Sequence, residues 1–266
     1  MSPIRPRLAA LCVALGLVAL AASARAQEAT DFRWAKALQS GSRVRLNNVN
    51  GSVTVSAAAG NEVEVVGRRR RGSAEDIRVQ VVETSEGIVA CVVWRGDECD
   101  ESGYHGRNRR GWDDDDRRSG RMDLEVRVPR GLHVHAGSVS GSVAVSGVEG
   151  EVRASSVSGD VRVVGIRAPS LSASSVSGDI EARVDALTGS GDLRFSSVSG
   201  DVVAELPKDF AADLRMSTVS GEIDSSFPIT LQGRTNSRSI EGRIGEGGRR
   251  LTVSTVSGDL TLRVRQ

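Results

Sequence analysis

Residues Ser156-Val-Ser-Gly-Asp160 return at Ser175-Val-Ser-Gly-Asp179 and again at Ser197-Val-Ser-Gly-Asp201. Close copies stand at Ser138-Val-Ser-Gly-Ser142, Thr218-Val-Ser-Gly-Glu222 and Thr255-Val-Ser-Gly-Asp259. Ser239-Ile-Glu-Gly-Arg243 is a degenerate copy and Asn48-Val-Asn-Gly-Ser52 an outlying one. From Gly141 onward the same glycine recurs at Gly159, Gly178, Gly200, Gly221, Gly242 and Gly258, at nearly even spacing. A repeat of this kind, with a period of about 20 residues, marks a chain of stacked, similar units.

Aligned on the glycine, each unit carries apolar residues at three offsets. Seven positions before it stand Val134, Val152, Leu171 and Leu193; two before it, Val139, Val157, Val176 and Val198; two after it, Val143, Val161, Ile180 and Val202. All three sets are expected to be buried, in the period-2 pattern of half-buried strands. The parity breaks between five and two residues before the glycine, so a bend or bulge is expected there. The reading is an all-β fold, a single-stranded parallel β-solenoid with coils of about 20 residues and a β-rich N-terminal part. The alternative makes each Val-Ser-Gly-Asp a hairpin turn in an antiparallel barrel or sandwich. A lone coil buries five or six small side chains, too few to offset the ordering of about 20 backbones, so only stacked coils are stable.

Upstream of the regular array, Asn61–Val66, Ile77–Glu83, Ile88–Trp94 and Met122–Val128 also read as strands. Between the last two lies 95–121, dense in Gly, Asp and Arg, which reads as a solvated loop. The expected organisation is a leader over 1–26, an N-terminal β region over 27–130 that contains this loop, and a repeat region over 131–266 continuous with it.

The leader has the form of an export signal: Arg5 and Arg7, an apolar run over Leu8–Ala22, and Ala24-Arg25-Ala26, with cleavage expected after Ala26. No later stretch is apolar enough to cross a bilayer as a helix. The 266 residues hold 35 Lys+Arg and 34 Asp+Glu. Loss of three leader arginines leaves 32 bases against 34 acids, net −2, which excludes a generic nucleic-acid binder. Two cysteines follow the leader, Cys91 and Cys99, and an oxidising compartment would pair them as a structural disulfide.

The S-V-S-G-D units, Asn48–Ser52 and Val126-Arg-Val-Pro-Arg-Gly131 together resemble the bacterial "putative adhesin" domain family, over roughly residues 40–264. The resemblance implies an exported or envelope-associated β-solenoid and brings no catalytic residues with it. The unit around Gly242 departs from the pattern: Thr235 and Ser237 replace apolar residues, and Glu241 and Arg243 replace Ser and Asp, so that coil is expected to be distorted.

Stacking would align Asp160, Asp179, Asp201, Glu222 and Asp259 in one column. That column is a weak metal candidate, because calcium needs six to eight converging oxygens. The plainer reading has each carboxylate accept a backbone N–H at its turn. Asp113–Asp116 and Arg68–Arg71 are opposed charge runs, which could hold calcium and an anionic polymer, or form solvated or mutually attracting faces. His133 and His135 alternate outward with no third zinc ligand near them. The Ser/Thr column at Ser138, Ser156, Ser175, Ser197, Thr218, Ser239 and Thr255 lacks an adjacent base and reads as cross-coil hydrogen bonding, not as a row of nucleophiles. Only eight aromatic residues are present, few for stacking on sugars.

The sequence therefore points to an exported, periplasmic or cell-surface, non-catalytic protein without a cofactor. Its expected role is adhesin-like binding of an envelope polysaccharide or another envelope protein. A structural or stress-linked envelope role, or a polysaccharide-active β-helix enzyme, are the alternatives. Thr252–Val256, near the C-terminus and without an obvious cap, suggests end-to-end self-association.

Overall fold

A computed structural model describes residues 31–106, 120–232 and 236–265. The leader with Ala26, the run Asp113–Asp116 and Thr235 lie outside the described residues. Among those described, the chain forms strands and no helix. The N-terminal part contributes β1 (Phe32–Ala37), β2 (Arg43–Asn50), β3 (Val53–Ala57), β4 (Glu62–Arg71), β5 (Ile77–Thr84), β6 (Gly87–Trp94), β7 (Glu98–Asp100), β8 (Gly103–His105) and β9 (Arg121–Val128). The repeats supply β10 (His133–Ser140), β11 (Val143–Ser146), β12 (Val152–Ser158), β13 (Val161–Ala168), β14 (Leu171–Ser177), β15 (Ile180–Leu187), β16 (Leu193–Ser199) and β17 (Val202–Leu206). The chain ends with β18 (Ala212–Ser217), β19 (Ile223–Ser225), β20 (Ile229–Leu231), β21 (Ser239–Ile244), β22 (Arg249–Ser254) and β23 (Leu260–Val264).

Each Ser-Gly corner sends the chain from one sheet to the other. The first sheet has the order β1-β4-β9-β3-β11-β13-β15-β17-β23-β19, the second β20-β21-β18-β22-β16-β14-β12-β10-β2-β6-β5. Equivalent strands of successive units pair in parallel and in register, Val134 with Val152, Val152 with Leu171 and Leu171 with Leu193. Hairpin turns at the repeats are thereby overturned, since a tight turn cannot join parallel neighbours. Antiparallel pairing is confined to the flanks: β1 with β4, β4 with β9, β5 with β6, the small β7–β8 hairpin, and β21 with β18 and β20. The outlying Asn48 unit belongs to the stack, with β2 on β10 and β3 on β11.

One core runs between the sheets from Val44 to Leu262. Residues seven and five before the corner glycine and two after it fill it, as with Leu193, Phe195 and Val202. The valines two before the glycine do not. Val139, Val157, Val176, Val198 and Val256 are 44–47% exposed and Val219 is 65% exposed, which corrects the expectation that they are buried. Alternation continues unbroken through the strand. The residue three before the glycine faces inward, so Ser138, Ser156, Ser175, Ser197, Thr218 and Thr255 are buried and the valine beside each must face out.

The C-terminal units do not stack in chain order. β22 pairs with β16 on one side and β18 on the other, and β23 lies between β17 and β19. The last coil in sequence is the penultimate coil in space. Thr252–Val256 is therefore an interior segment, not the open end that would carry self-association. The degenerate unit around Gly242 forms no parallel coil; it reverses as β21, antiparallel to β18. Without a Ser-Gly-Asp corner it has no means of joining the ladder described below.

The expected loop over 95–121 is partly structured. Residues 98–105 form the β7–β8 hairpin, joined to β6 by a Cys91–Cys99 disulfide with a Cα–Cα distance of 5.9 Å. Val89, Cys91, Val93 and Cys99 form a small second cluster there, so β6 is buried on both faces.

Candidate functional site

The corners make one continuous hydrogen-bond ladder. Ser156 Oγ donates to Gly141 O (2.9 Å), Ser175 Oγ to Gly159 O (3.0 Å) and Ser197 Oγ to Gly178 O (3.0 Å). Thr255 bonds Gly200 O and Thr218 bonds Gly258 O, both at 3.1 Å. Each buried hydroxyl thus satisfies the glycine carbonyl of the adjacent coil. Glycine is required because the coils approach so closely: at Gly200, φ is 152° and a Cβ would collide with the Gly178 carbonyl.

The acids complete the ladder. One oxygen of Asp160 accepts the Asp179 N–H (3.0 Å), Asp179 that of Asp201, Asp201 that of Asp259 and Asp259 that of Glu222, each of the last three at 2.8 Å. The column is real, in the spatial order Asp160, Asp179, Asp201, Asp259, Glu222. Among the described residues no three His, Cys, Asp or Glu side chains converge as a metal would need. Sequence reasoning missed its first rung. Asp123 on β9 accepts the Ser52 N–H (2.9 Å), and Asn48 Nδ2 donates to Met122 O (2.8 Å), so Met122–Asp123 takes the Gly–Asp place. Hydrogen bonds from Arg70 and Ser52 outweigh burial and lower the Asp123 pKa. No S-V-S-G-D spelling marks this rung.

The basic run is consumed by the fold. Arg68 pairs with Glu125 (2.6 Å), Arg69 with Asp31 (3.1 Å) and Arg70 with Asp123 (2.8 Å). Arg71, at the end of β4, is exposed. On β10, His133 Nδ1 accepts the Glu151 N–H (3.0 Å), and His135 Nε2 lies 3.6 Å from Glu151 Oε1. Burial first, then the charges of Arg153 and Arg43, push the His135 pKa down to about 4, so its ring is neutral near pH 7.

A Ser-His-Asp group does occur on the β7–β8 hairpin, unnoticed in the sequence. Ser102 Oγ lies 2.7 Å from His105 Nε2, but Asp100 Oδ1 contacts that same nitrogen (3.0 Å). A triad needs the acid on the opposite ring nitrogen. Asp100 instead accepts the Ser102 hydroxyl and N–H, which hold its pKa down to about 2 and define a turn.

The outer face of the second sheet carries three further columns. Six residues before the corner glycine, the register aligns Arg45, His135, Arg153, Ser172, Arg194, Thr252 and Arg215 in that spatial order. Four before it stand Asn47, Gly137, Ser155, Ser174, Ser196, Ser254 and Ser217. The exposed valines form the third column. The outer face of the first sheet is different: Arg162 and Arg183 both pair with Glu181, and Arg183 also with Glu205, so its charges neutralise one another. Two open depressions of about 530 and 560 Å³ near Asp185 hold no histidine or cysteine.

The chain is similar to a crystal structure described as a "putative cell adhesion protein" from Clostridium sporogenes, 9% identical, covering 88% of this chain and 99% of that one with a TM-score of 0.45. A "putative adhesin" from Bacteroides fragilis is 13% identical and covers 88% of this chain and 96% of that one, with a TM-score of 0.37. No curated protein matches the chain. A family model does, over residues 116–263, and with more than half of its length matched the chain belongs to the Toastrack DUF4097 family.

Proposed function

We propose that this is an exported, non-catalytic, adhesin-like binding module of the cell envelope, folded as a β-solenoid with coils of about 20 residues. The observation that carries the reading is the register: equivalent side chains stand in columns over seven consecutive strands of the second sheet. Such columns suit many weak, repeated contacts with an extended partner, whose affinities multiply through effective concentration. The Cys91–Cys99 bridge fits an oxidising compartment outside the cytoplasm. The Ser102 group is exposed and wrongly ordered for nucleophilic catalysis, which favours binding over chemistry.

The test is retention of the purified protein on isolated peptidoglycan, outer-membrane lipid and surface polysaccharide, at low and high salt, with and without calcium. Saturable retention on one fraction is expected. Absence of retention on all of them overturns the reading.

A further inference from the structure

The three outer columns of the second sheet lie side by side. Along β12, β14, β16, β22 and β18 the order is an Arg/Ser/Thr position, then a serine, then an exposed valine, two residues apart and all on one face. On β10 Gly137 takes the serine place, and on β2 Arg45 is bonded to the β7–β8 hairpin and Asn47 to Cys91. Five strands at about 4.8 Å make this track about 19 Å long. Its first edge alternates strictly, because Arg153, Arg194 and Arg215 occupy every second strand, with Ser172 and Thr252 between them. The guanidinium period is therefore about 10 Å. The alternation is a product of the strand exchange: in chain order Arg194 and Arg215 would be adjacent, and β22 separates them.

We infer that this face binds an extended acidic polysaccharide with one anionic group per disaccharide, lying along the stack axis; the inference rests on the binding-module reading above. A sugar ring in an extended chain advances by about one strand spacing, so an anion on every second sugar meets an arginine on every second strand. The side-chain hydroxyls of the middle-column serines make no hydrogen bond among the described residues and face sugar hydroxyls. The valines offer methyl groups to the apolar C–H faces of the rings, where among the described residues no Phe, Tyr or Trp side chain stands in these columns. The charge is available. Arg194 has no ion-pair partner among the described residues, and Arg153 and Arg215 are held only by exposed pairs to Glu151 (2.7 Å) and Glu241 (3.4 Å), of the weak kind that a ligand displaces. The nearby acids Asp192 and Asp213 are paired to Arg250 and Arg243.

The test uses hyaluronan oligosaccharides of four to twelve sugars, which carry one carboxylate per disaccharide. Polygalacturonate, charged on every sugar, and uncharged dextran serve as comparisons, with calorimetry of the purified protein at low salt. Affinity is expected to rise with length to about five sugars and then level, and to fall with added salt. The Arg153→Gln/Arg194→Gln pair should lose about tenfold, and Val176→Ser/Val198→Ser several-fold. Arg162→Gln, on the other sheet, should change nothing; unaltered melting temperatures confirm folding. No hyaluronan binding, equal loss with Arg162→Gln, equal binding of polygalacturonate, or a valine-dependent dimer without sugar binding each overturns the inference. Equal envelope retention of wild type and the double arginine variant would sink this inference and leave the binding-module reading standing.

Discussion

The hydroxyl of Ser197 donates to the carbonyl of Gly178, the corner glycine one coil away, and the serine side chain is shut off from bulk water. Ser197→Ala removes the donor from this acceptor and should cost about 1 kcal/mol. Ser197→Thr should be close to neutral, since Thr255 and Thr218 perform the same role at 3.1 Å. Urea denaturation of both variants checks the pair, and equal losses would refute the ladder.

Gly200→Ala should be worse. The new Cβ meets the Gly178 carbonyl, a backbone atom that cannot step aside, at a φ of 152° that L residues rarely adopt. A loss of at least about 2 kcal/mol is expected. Gly60→Ala, where a Cβ meets nothing within 4 Å, is the control in the same denaturation series.

The valine column separates burial from repetition. Val198→Ser, at a 45% exposed position, should change stability by no more than about 0.5 kcal/mol, while Leu193→Ala at a fully buried one should cost about 2–5 kcal/mol. Thermal melts decide it. A comparable loss for Val198→Ser would return the valines to the core.

Truncation after residue 248 removes β22 and β23, which lie inside the stack. β18 and β19 then lose their parallel partners, so residues 207–248 should become protease-sensitive while the coils up to β17 stay resistant. If the deleted strands were a terminal coil, 207–248 would remain protected.

His135 gives stability a pH dependence of definite sign. Its folded pKa, about 4, lies below the ordinary value of 6.5, so the unfolded chain takes up the proton first as pH falls. Stability should decline between about pH 6.5 and 4 by about 1–2 kcal/mol, after discounting for solvent screening of this half-buried ring. His135→Asn should flatten the curve in that window. Glu64, Asp123 and Glu151, whose pKa values are lowered, act at more acid pH: their stabilisation is present above the ordinary carboxylate range and is lost as pH falls through the lowered folded values.

Much of this protein was legible in its sequence. Repeated glycines and flanking aliphatics point to stacked β units, because an even glycine spacing combined with period-2 alternation marks repeated half-buried strands, and Leu193 and Val202 were placed correctly in the core; the parallel pairing of those strands, against the hairpin alternative, came from the structure. Hydrophobicity misplaced the valines: it ranks Val198 above Ser197 for burial, yet alternation admits only one of them, and the hydroxyl enters because it alone can satisfy the Gly178 carbonyl. Asp123 was hidden because its rung has no repeat spelling. Most of all, spatial order is not written in chain order. Only the tertiary structure sets Thr252 between Arg194 and Arg215, because a strand of the common pattern fits against any other, and the reversing β20–β21 hairpin brings the last coil back into the gap before the end.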